Sequence, residues 1–142
     1  MRKIIVFGTF DTVHKGHESF FKQAKNLGDY LIVVVARDDY AKRAKKYSPV
    51  NSEKIRVRNA RKSTLPNKVI LGSKTHNFYR TIRTHRPETI ALGYDQKPTI
   101  NELKKQLRKH RLSEIKIVRM RAFKPKIYKT SLILNKGKRV LN

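Results

Sequence analysis

The chain has 142 residues and no cysteine, and its 35 lysines and arginines stand against 10 aspartates and glutamates, for a formal net charge of +25. This length favours one domain with one core, and the lack of cysteine excludes disulfides and cysteine-based metal sites. No apolar run approaches the roughly 20 residues that span a bilayer, and a predicted strand begins at once, leaving no room for a signal peptide. We therefore expect one cytoplasmic domain over residues 1–142.

The positive charge is unevenly distributed along the chain. Residues 1–40 contain 6 basic and 5 acidic side chains, whereas residues 41–142 contain 29 and 5. Such a field attracts anions, namely nucleotides, phosphorylated small molecules, nucleic acid or an acidic membrane surface. The alternative is a compositional bias toward lysine and arginine that is solvated over the whole surface. Composition does not separate these two interpretations.

The first part of the chain predicts a strand, a helix and a second strand. Residues 3–8 form an apolar run typical of a buried strand, and residues 14–27 repeat apolar side chains at helical spacing. Gly28 is positioned to end that helix. Residues 30–36 are almost continuously apolar and β-branched, as in a parallel strand that is covered on both faces. Two strands joined by one helix predict a right-handed βαβ unit.

The rest of the chain continues this alternation. A polar and basic segment over residues 38–51 predicts a loop or a short helix, and Ser52 after it is a candidate N-cap. Helices are predicted over residues 52–63, 77–86, 100–112 and 131–136, and strands over residues 68–71, 89–92 and 113–120, the last of them at an edge. The alternation predicts an α/β fold with a doubly wound, five-stranded parallel sheet, whose ligands bind at the carboxyl ends of the strands.

The segment Gly8–His17 (GTFDTVHKGH) joins the first predicted strand to the first helix. Helix N-termini bind anions because they offer unpaired N–H groups and a partial positive charge. His14 and His17 add donors at the same place, where negative charge develops as a phosphorus–oxygen bond breaks. The segment therefore predicts a site for the phosphates of a nucleotide; the alternative is a strand–turn–helix with two unrelated surface histidines.

This segment resembles the HxGH signature of the cytidylyltransferase-like nucleotidyltransferases. That family transfers a nucleotide from a nucleoside triphosphate to a phosphorylated acceptor and releases pyrophosphate, on a Rossmann-like fold. The resemblance implies that His14 and His17 contact the triphosphate and stabilise the transition state. It also implies that Thr9 and Phe10 offer backbone N–H groups to phosphate, and that Gly16 permits a close approach of the backbone to the phosphates.

Gly8 and Asp11 complete the predicted nucleotide-binding turn. Asp11 either accepts hydrogen bonds from backbone N–H groups or helps to position Mg²⁺, and the structural role is favoured. Mg²⁺ is the cofactor that the resemblance implies, held mostly by substrate oxygens and water. We therefore predict no metal site made of protein ligands, which fits the small number of acidic residues.

Several basic residues resemble phosphate-binding positions of the family. The loop after the second strand carries lysines that relatives fold over the phosphates, and Lys45 is the catalytic candidate among them. Arg56, in the stretch SEKIR, resembles the arginine of a Glu-x-x-Arg pair. We expect Arg37, Lys46, Arg56 and Arg121 to face the phosphorylated acceptor, with solvated surface charge as the alternative.

Two later segments resemble further nucleotide-binding motifs. The stretch Leu92–Gln96 (LGYDQ) resembles the Gly-x-Asp-Gln segment of archaeal-type FAD synthases, which implies nucleotide contacts by the Gly93 backbone and the Asp95 side chain. Thr130 and Ser131 match a Ser/Thr-rich motif at the start of the last helix, which implies contacts with triphosphate oxygens. The alternatives are a plain turn and a simple helix cap.

These resemblances favour an FAD-synthase-like adenylyltransferase that uses ATP and FMN. A CTP-dependent cytidylyltransferase that makes a CDP-alcohol such as CDP-glycerol is the alternative within the same class. An alternative of another class is a basic nucleic-acid-binding protein that retains the fold, because the charge outside the first βα unit is so high. A homodimer is expected from the resemblance, although no residue identifies an interface.

Overall fold

Strands and helices alternate along the part of the chain that the structure, a computed structural model, describes: residues 1–11, 15–44, 49–75 and 77–122. In order these elements are β1 (Lys3–Gly8), α1 (Lys15–Lys25), β2 (Tyr30–Val35), α2 (Asp38–Ala44), α3 (Glu53–Arg61), β3 (Lys68–Leu71), α4 (Phe78–His85), β4 (Thr89–Leu92), α5 (Ile100–Lys109) and β5 (Lys116–Arg119). Across these ranges, no helix is long and apolar enough to cross a membrane.

The five strands form one parallel sheet in the order β3-β2-β1-β4-β5. The chain winds outward from β1 to β3 and then crosses back over β1 to β4. This is the doubly wound arrangement that the alternation of strands and helices predicts, so the predicted fold class is confirmed. The edge position of β5 is also as predicted.

Most predicted boundaries agree with the structure within a few residues, and three strands, β1, β3 and β4, agree to the residue. The last strand is shorter than predicted, because Leu112 and Ile115 pack into the core from a turn that precedes it. The polar segment after β2 contains the short helix α2. The helix predicted over residues 131–136 lies outside the described residues.

Helix starts follow from local capping chemistry. The side chains of Ser52, Asn77 and Thr99 each accept a hydrogen bond from a backbone N–H three residues further on, which satisfies one of the unpaired donors of a first turn. The Thr99 N–H in turn donates to Oε1 of Glu102 at 3.0 Å, which completes a capping box. α4 ends at Arg86 in the left-handed conformation.

Gly28 does not end α1, as the sequence predicted, but has a different role. α1 ends three residues earlier, at Lys25, and Gly28 does not adopt a positive φ. A Cβ at this position would lie only 2.5 Å from the carbonyl oxygen of Arg2. That carbonyl accepts hydrogen bonds from the N–H groups of Asp29 and Tyr30 at 2.8 and 3.2 Å. The glycine therefore lets the start of β1 pack against the turn before β2.

Helices cover both faces of the sheet and create two apolar layers. One layer contains Phe21 of α1 and Val57 of α3, and the other contains Ile82 of α4 and Leu103 of α5. β2 contributes alternate residues to the two layers, which explains its continuous apolar sequence. Each fully buried side chain of this kind stabilises the fold by about 1.5–3 kcal/mol.

β1 and β4 separate toward their carboxyl ends. β1 pairs with β2 along its whole length, Lys3–Gly8, but it pairs with β4 only at Ile4 and Ile5. The separation lies where the winding of the sheet reverses. Doubly wound sheets bind their ligands at this kind of crevice, so the fold directs attention to the turns that follow β1 and β4.

Candidate active site

The turn after β1 is built around the side chain of Phe10. The ring is only 5% exposed and packs against Phe21 of α1, with ring centroids 5.5 Å apart. It lies over Gly8, where a Cβ would come within 2.7 Å of the ring. The backbone of Phe10 has a φ of 53°, which costs about 1–2 kcal/mol for a residue with a side chain. Burial of the ring offsets this cost and fixes the turn.

This turn presents backbone donors toward the crevice. Within the described ranges, no hydrogen bond occupies the N–H groups of Thr9 and Phe10. The two groups stand at the carboxyl end of β1, beside the N-terminus of α1. They are therefore available to an anion, as the resemblance implies.

His17 lies in the first turn of α1, next to the same anchor. Its ring meets the Phe10 ring edge-on, with centroids 5.5 Å apart and an interplanar angle of 73°. The side chain is half-buried, as is that of Gly16 before it. Phe10 therefore positions both the backbone donors of the turn and one of the two histidines of the HxGH segment.

Several of the predicted site residues lie outside the described residues, and their roles stay predictions. They are His14, Lys45, Lys46, Thr130 and Ser131.

Asp11 joins the turn after β1 to the segment before α3. Its two carboxylate oxygens accept hydrogen bonds from the N–H groups of Val50 and Asn51 at 2.7 and 2.8 Å, and its carbonyl accepts one from the Asn51 side chain at 2.9 Å. Asp11 is buried. Both oxygens are thus engaged in holding backbone, which is the structural role that the sequence favours, although the N–H groups come from a distant segment.

Arg56 is a fully buried arginine that connects three segments. Its Nη1 donates to the carbonyl of Thr9 at 2.8 Å, its Nε to the carbonyl of Asn51 at 3.1 Å, and its Nη2 to Oδ1 of Asp38 at 2.7 Å. The guanidinium has no exposed surface, while the Asp38 side chain is 38% exposed. The Arg56 group therefore holds the turn after β1, the start of α2 and the segment before α3 together.

Arg56 is buried and its donors have protein partners, and its predicted contact with the acceptor stays a prediction. Moving a guanidinium out of water is costly, and the cost is offset only when a carboxylate and further acceptors surround it. Asp38 and two carbonyls supply these partners, so the donors are directed at protein atoms. Arg56 is a positioning residue, and the Glu-x-x-Arg pattern alone does not distinguish such a residue from a substrate ligand.

Arg37 links the ends of β2 and β3 to the first turn of α3. Its Nε donates to the carbonyl of Gly72 at 2.8 Å, and its Nη1 lies 3.5 Å from Oε2 of Glu53. The other oxygen of Glu53 accepts from the N–H of Asp38 at 2.9 Å. The side chains of Arg37 and Glu53 are each 23% exposed, and the predicted acceptor contact by Arg37 stays a prediction.

Gln96 bridges the gap between β1 and β4. Its Oε1 accepts from the N–H of Gly93 at 3.0 Å, and its Nε2 donates to the carbonyl of Phe7 at 2.9 Å. The amide of Gln96 has one donor and one acceptor. It thus connects the two strands where they are too far apart for backbone hydrogen bonds. Asp95 is exposed in the same turn, and its predicted nucleotide contact stays a prediction.

Arg119 completes the turn after β4 from the neighbouring strand. Its Nη1 donates to the carbonyls of Gly93 and Gln96 at 2.9 and 2.6 Å, and its Nη2 to the carbonyl of Pro98 at 3.3 Å. The N–H and the carbonyl of Gly93 are therefore both engaged by protein side chains. The predicted nucleotide contact by the Gly93 backbone stays a prediction.

The sequence pattern does not reveal these organising roles of Gln96 and Arg119. Arg119 lies in a strand whose alternation of polar and apolar residues indicates a solvated edge, so the sequence predicts that its charge faces water. Gln96 offered a better signal, because a side chain with both a donor and an acceptor directly after a strand end can bind two backbone segments.

Arg121 is tied to α1 through its backbone. Its N–H donates to Oε1 of Gln23 at 2.8 Å, and its carbonyl accepts from Nε2 of the same side chain at 3.0 Å. The residue is exposed. The end of β5 is therefore held against α1, the helix that carries His17, and the acceptor contact of the Arg121 side chain stays a prediction.

The described residues contain no group of three or more histidines, aspartates and glutamates that are close enough to hold a metal ion. The carboxylates of Asp11 and Asp38 have the protein partners described above.

The chain is similar to known proteins over most of its length. The family model described as cytidylyltransferase-like matches residues 5–136. The FAD synthase of Aciduliprofundum boonei is 37% identical over 87% of this chain and 80% of its own length. The corresponding values are 38%, 86% and 78% for the FAD synthase of Ferroglobus placidus, and 39%, 84% and 77% for that of Methanosarcina mazei. The resemblance drawn from the sequence motifs is thereby confirmed.

Solved structures share the fold. The lipopolysaccharide core biosynthesis protein from Thermoplasma volcanium superposes with a TM-score of 0.81, at 34% identity, over 87% of this chain and 98% of that one. The pantoate-beta-alanine ligase from Francisella tularensis has a TM-score of 0.63 at 16% identity, over 94% and 65% of the two chains, and this likeness concerns the fold alone.

Proposed function

The chain belongs to the cytidylyltransferase-like family, and we propose that within it the chain acts as an FAD synthase. The reaction joins the AMP portion of ATP to the phosphate of FMN and releases pyrophosphate. The protein is thus a nucleotidyltransferase. The observation that carries the proposal is the 37–39% identity with three archaeal FAD synthases over most of both chains.

The site chemistry suits a direct transfer. A phosphate oxygen of FMN attacks the α-phosphorus of ATP in line; the new phosphorus–oxygen bond forms as the bond to the β-phosphate bridging oxygen breaks. The electron pair leaves with pyrophosphate, so no enzyme nucleophile is required. The barrier is lowered by positioning and by donors aimed at the developing negative charge.

The turn after β1 supplies such donors in this proposal. The N–H groups of Thr9 and Phe10 and the N-terminus of α1 bind phosphate oxygens, and His17 donates to the triphosphate. His14 is assigned the same role through the HxGH motif. Mg²⁺, held by phosphate oxygens and water, supplies additional charge neutralisation when ATP is bound.

The positioning residues explain how the donors stay in place. Arg56 holds the carbonyl of Thr9, and Asp11 holds the segment before α3 against the same turn. Because the turn includes Phe10 in an unfavourable backbone conformation, it needs such contacts to remain in one arrangement. These contacts form within the protein itself, so the donors are positioned before substrate binds.

A substrate panel tests the proposal. Pyrophosphate release is measured with Mg²⁺ while ATP and CTP are crossed with FMN, glycerol 3-phosphate and phosphopantetheine, and FAD is detected by chromatography. We expect pyrophosphate release only when ATP is combined with FMN. Release with CTP and glycerol 3-phosphate would instead assign a CDP-glycerol synthase, the alternative within the class.

His17→Ala tests the role of the HxGH segment. We expect turnover to fall by about 100- to 1000-fold, the usual cost of removing one donor to a transition state, while the circular dichroism spectrum is retained. His85→Gln is the matched control, because His85 ends α4 at the opposite edge of the sheet. Equal turnover in the folded His17 variant and this control would exclude the assigned role.

A further inference from the structure

We propose that the outer surface of α4 and α5 binds single-stranded nucleic acid through its phosphates. Six exposed cations define this surface, which we call the basic patch: Arg80, Arg83, Arg86, Arg108, Lys109 and Arg111. Three belong to α4 and its C-cap, and three to the end of α5 and the turn after it. This activity goes beyond nucleotidyl transfer and uses none of the residues assigned to it.

Direct contacts join the α4 part of the basic patch to the α5 part. Nη2 of Arg83 donates to the carbonyl of His110 at 3.1 Å. The ring of His110 stacks on that of Tyr79, with centroids 3.7 Å apart and an interplanar angle of 11°. The C-cap of α5 therefore lies against the first turn and the middle of α4, and the two helices bring cations from separate parts of the sequence to one surface.

The charges of the basic patch have no carboxylate partners within the described part of the chain. Three ion pairs form there, Arg2 with Asp29, Arg37 with Glu53, and Arg56 with Asp38, and none includes a cation of the patch. Neighbouring cations repel one another within a Debye length of about 8–10 Å. A polyanion relieves this repulsion and releases its own counterions on binding.

The composition of the surface favours nucleic acid over an anionic membrane. Membrane-surface helices need large apolar side chains that enter the lipid. In the described ranges the exposed large apolar residues are Met1, Tyr40, Val50, Ile55 and Tyr94, none of them on α4 or α5. The patch instead combines five arginines, which bind phosphate in a bidentate manner, with a half-buried aromatic pair, the combination used to bind single strands.

The end of α4 lies away from the candidate active site, whereas Arg80 lies in the first turn of this helix, near Ser73 and Thr75. Nζ of Lys3, at the start of β1, is 3.4 Å from the carbonyl of His85 at the end of α4. α4 therefore ends at the amino edge of the sheet, whereas the turns after β1 and β4 lie at the carboxyl edge. A strand bound at the end of α4 leaves the crevice accessible, so both activities can occur in one molecule.

Fluorescence anisotropy with a labelled 20-nucleotide oligouridine tests the proposal on the full chain. Affinity is measured between 50 and 300 mM salt. For about five phosphate contacts on a single strand we expect log K to fall with log salt with a slope of about −3 to −4. Vesicles that contain phosphatidylserine provide the competing anionic surface. Absence of oligouridine binding at 50 mM salt, or preferential vesicle binding, overturns the proposal.

Two quadruple variants remove equal charge from opposite faces. The patch variant carries Arg80→Gln, Arg83→Gln, Arg108→Gln and Arg111→Gln, and the control variant carries Lys22→Gln, Lys54→Gln, Arg58→Gln and Lys62→Gln on α1, α3 and the end of α3. We expect the patch variant to lose at least about tenfold in affinity and two to three units of salt slope, and the control to retain most of both.

The outcome depends on the contrast between these two variants. Equal losses would show that net charge alone drives binding, which contradicts a defined surface. Pyrophosphate release from ATP and FMN is measured for both variants and is expected to stay at the wild-type rate, which also verifies folding. Loss of oligouridine binding with retained transfer activity separates this proposal from the proposed function.

Discussion

Two arginines organise the carboxyl edge of the sheet, and they do so in different ways. Arg56 serves the side formed by β1, β2 and β3, is fully buried, and binds one carboxylate and two carbonyls. Arg119 serves the side formed by β4 and β5, is half-buried, and binds carbonyls only. The surroundings of an arginine, rather than its identity, therefore decide what it contributes.

The two arginines also differ in what they connect. Arg56 and Thr9 are 47 positions apart, and the contact joins separate crossovers of the fold. Arg119 binds three carbonyls of one short loop. The first arrangement restrains the turn that holds the proposed phosphate donors, whereas the second shapes the loop beside it. We therefore expect damage at Arg56 to spread further than damage at Arg119.

Arg56→Met is expected to lower the free energy of unfolding more than any other substitution considered below. The methionine side chain has a similar length, but it cannot donate to the carbonyls of Thr9 and Asn51 and removes the ion pair between Arg56 and Asp38. Because Asp38 is partly exposed, we expect a loss of about 2–4 kcal/mol in the free energy of unfolding, below the full cost of breaking a buried pair. Urea denaturation measures the loss, and ATP affinity should fall with it.

Arg119→Met is expected to have a smaller effect. Its three acceptors are neutral carbonyls near the surface, and water can replace part of the lost hydrogen bonding. We expect a loss of about 1–2 kcal/mol in the free energy of unfolding. The same urea experiment applies, and similar losses for the two variants would show that the carboxylate and the deeper burial of Arg56 make no difference.

The amino edge of the sheet differs from the carboxyl edge, because Lys68 and Lys3 act there on a histidine and not on a carboxylate. Burial lowers the pKa of His85, and the charges of Lys68 and Lys3 lower it further. A base with a lowered pKa in the folded state stabilises the protein fully above its unfolded pKa of about 6.5. Stability is therefore expected to decline as the pH falls below this value, because the unfolded chain takes up the proton more readily.

His85→Gln is expected to reduce that decline, and this is the smallest of the expected effects. Thermal denaturation between pH 7.5 and 5 compares the variant with the wild type. The difference in melting temperature between the two proteins should change across pH 6.5 and stay constant above pH 7. An unchanged difference over the whole range would show that His85 has an ordinary pKa in the folded protein.

Much of the fold was predictable from local pattern. The apolar runs of β1, β3 and β4 mark their own boundaries, because each run is short and is bounded by polar residues or glycine. Ser52 was recognisable as a cap, since capping depends on residues only three positions away. Gly28 was misread, because the carbonyl that it accommodates belongs to Arg2, at the other end of the βα unit.

The candidate site was predictable only in part. The HxGH segment indicated the turn after β1 and His17, because a strand end, a glycine and a helix start are adjacent in sequence. The contacts of Arg56 with Thr9 and Asp38 and of Gln96 with Phe7 were not predictable, since these partners come from other crossovers. Gln96 and Phe7, for example, are 89 positions apart. The same is true of the basic patch, whose aromatic pair joins α4 to the end of α5.

The alternation of strands and helices, the family and the segment proposed to bind phosphate follow from the sequence alone, because each depends on neighbouring residues and their periodicity. Only the tertiary structure decided which polar groups are already engaged by protein. A guanidinium or a backbone N–H can serve a ligand or the fold, and the choice depends on burial and on the acceptors that distant segments bring within about 3 Å. At Arg56 and Gly93 those acceptors and donors come from the protein itself.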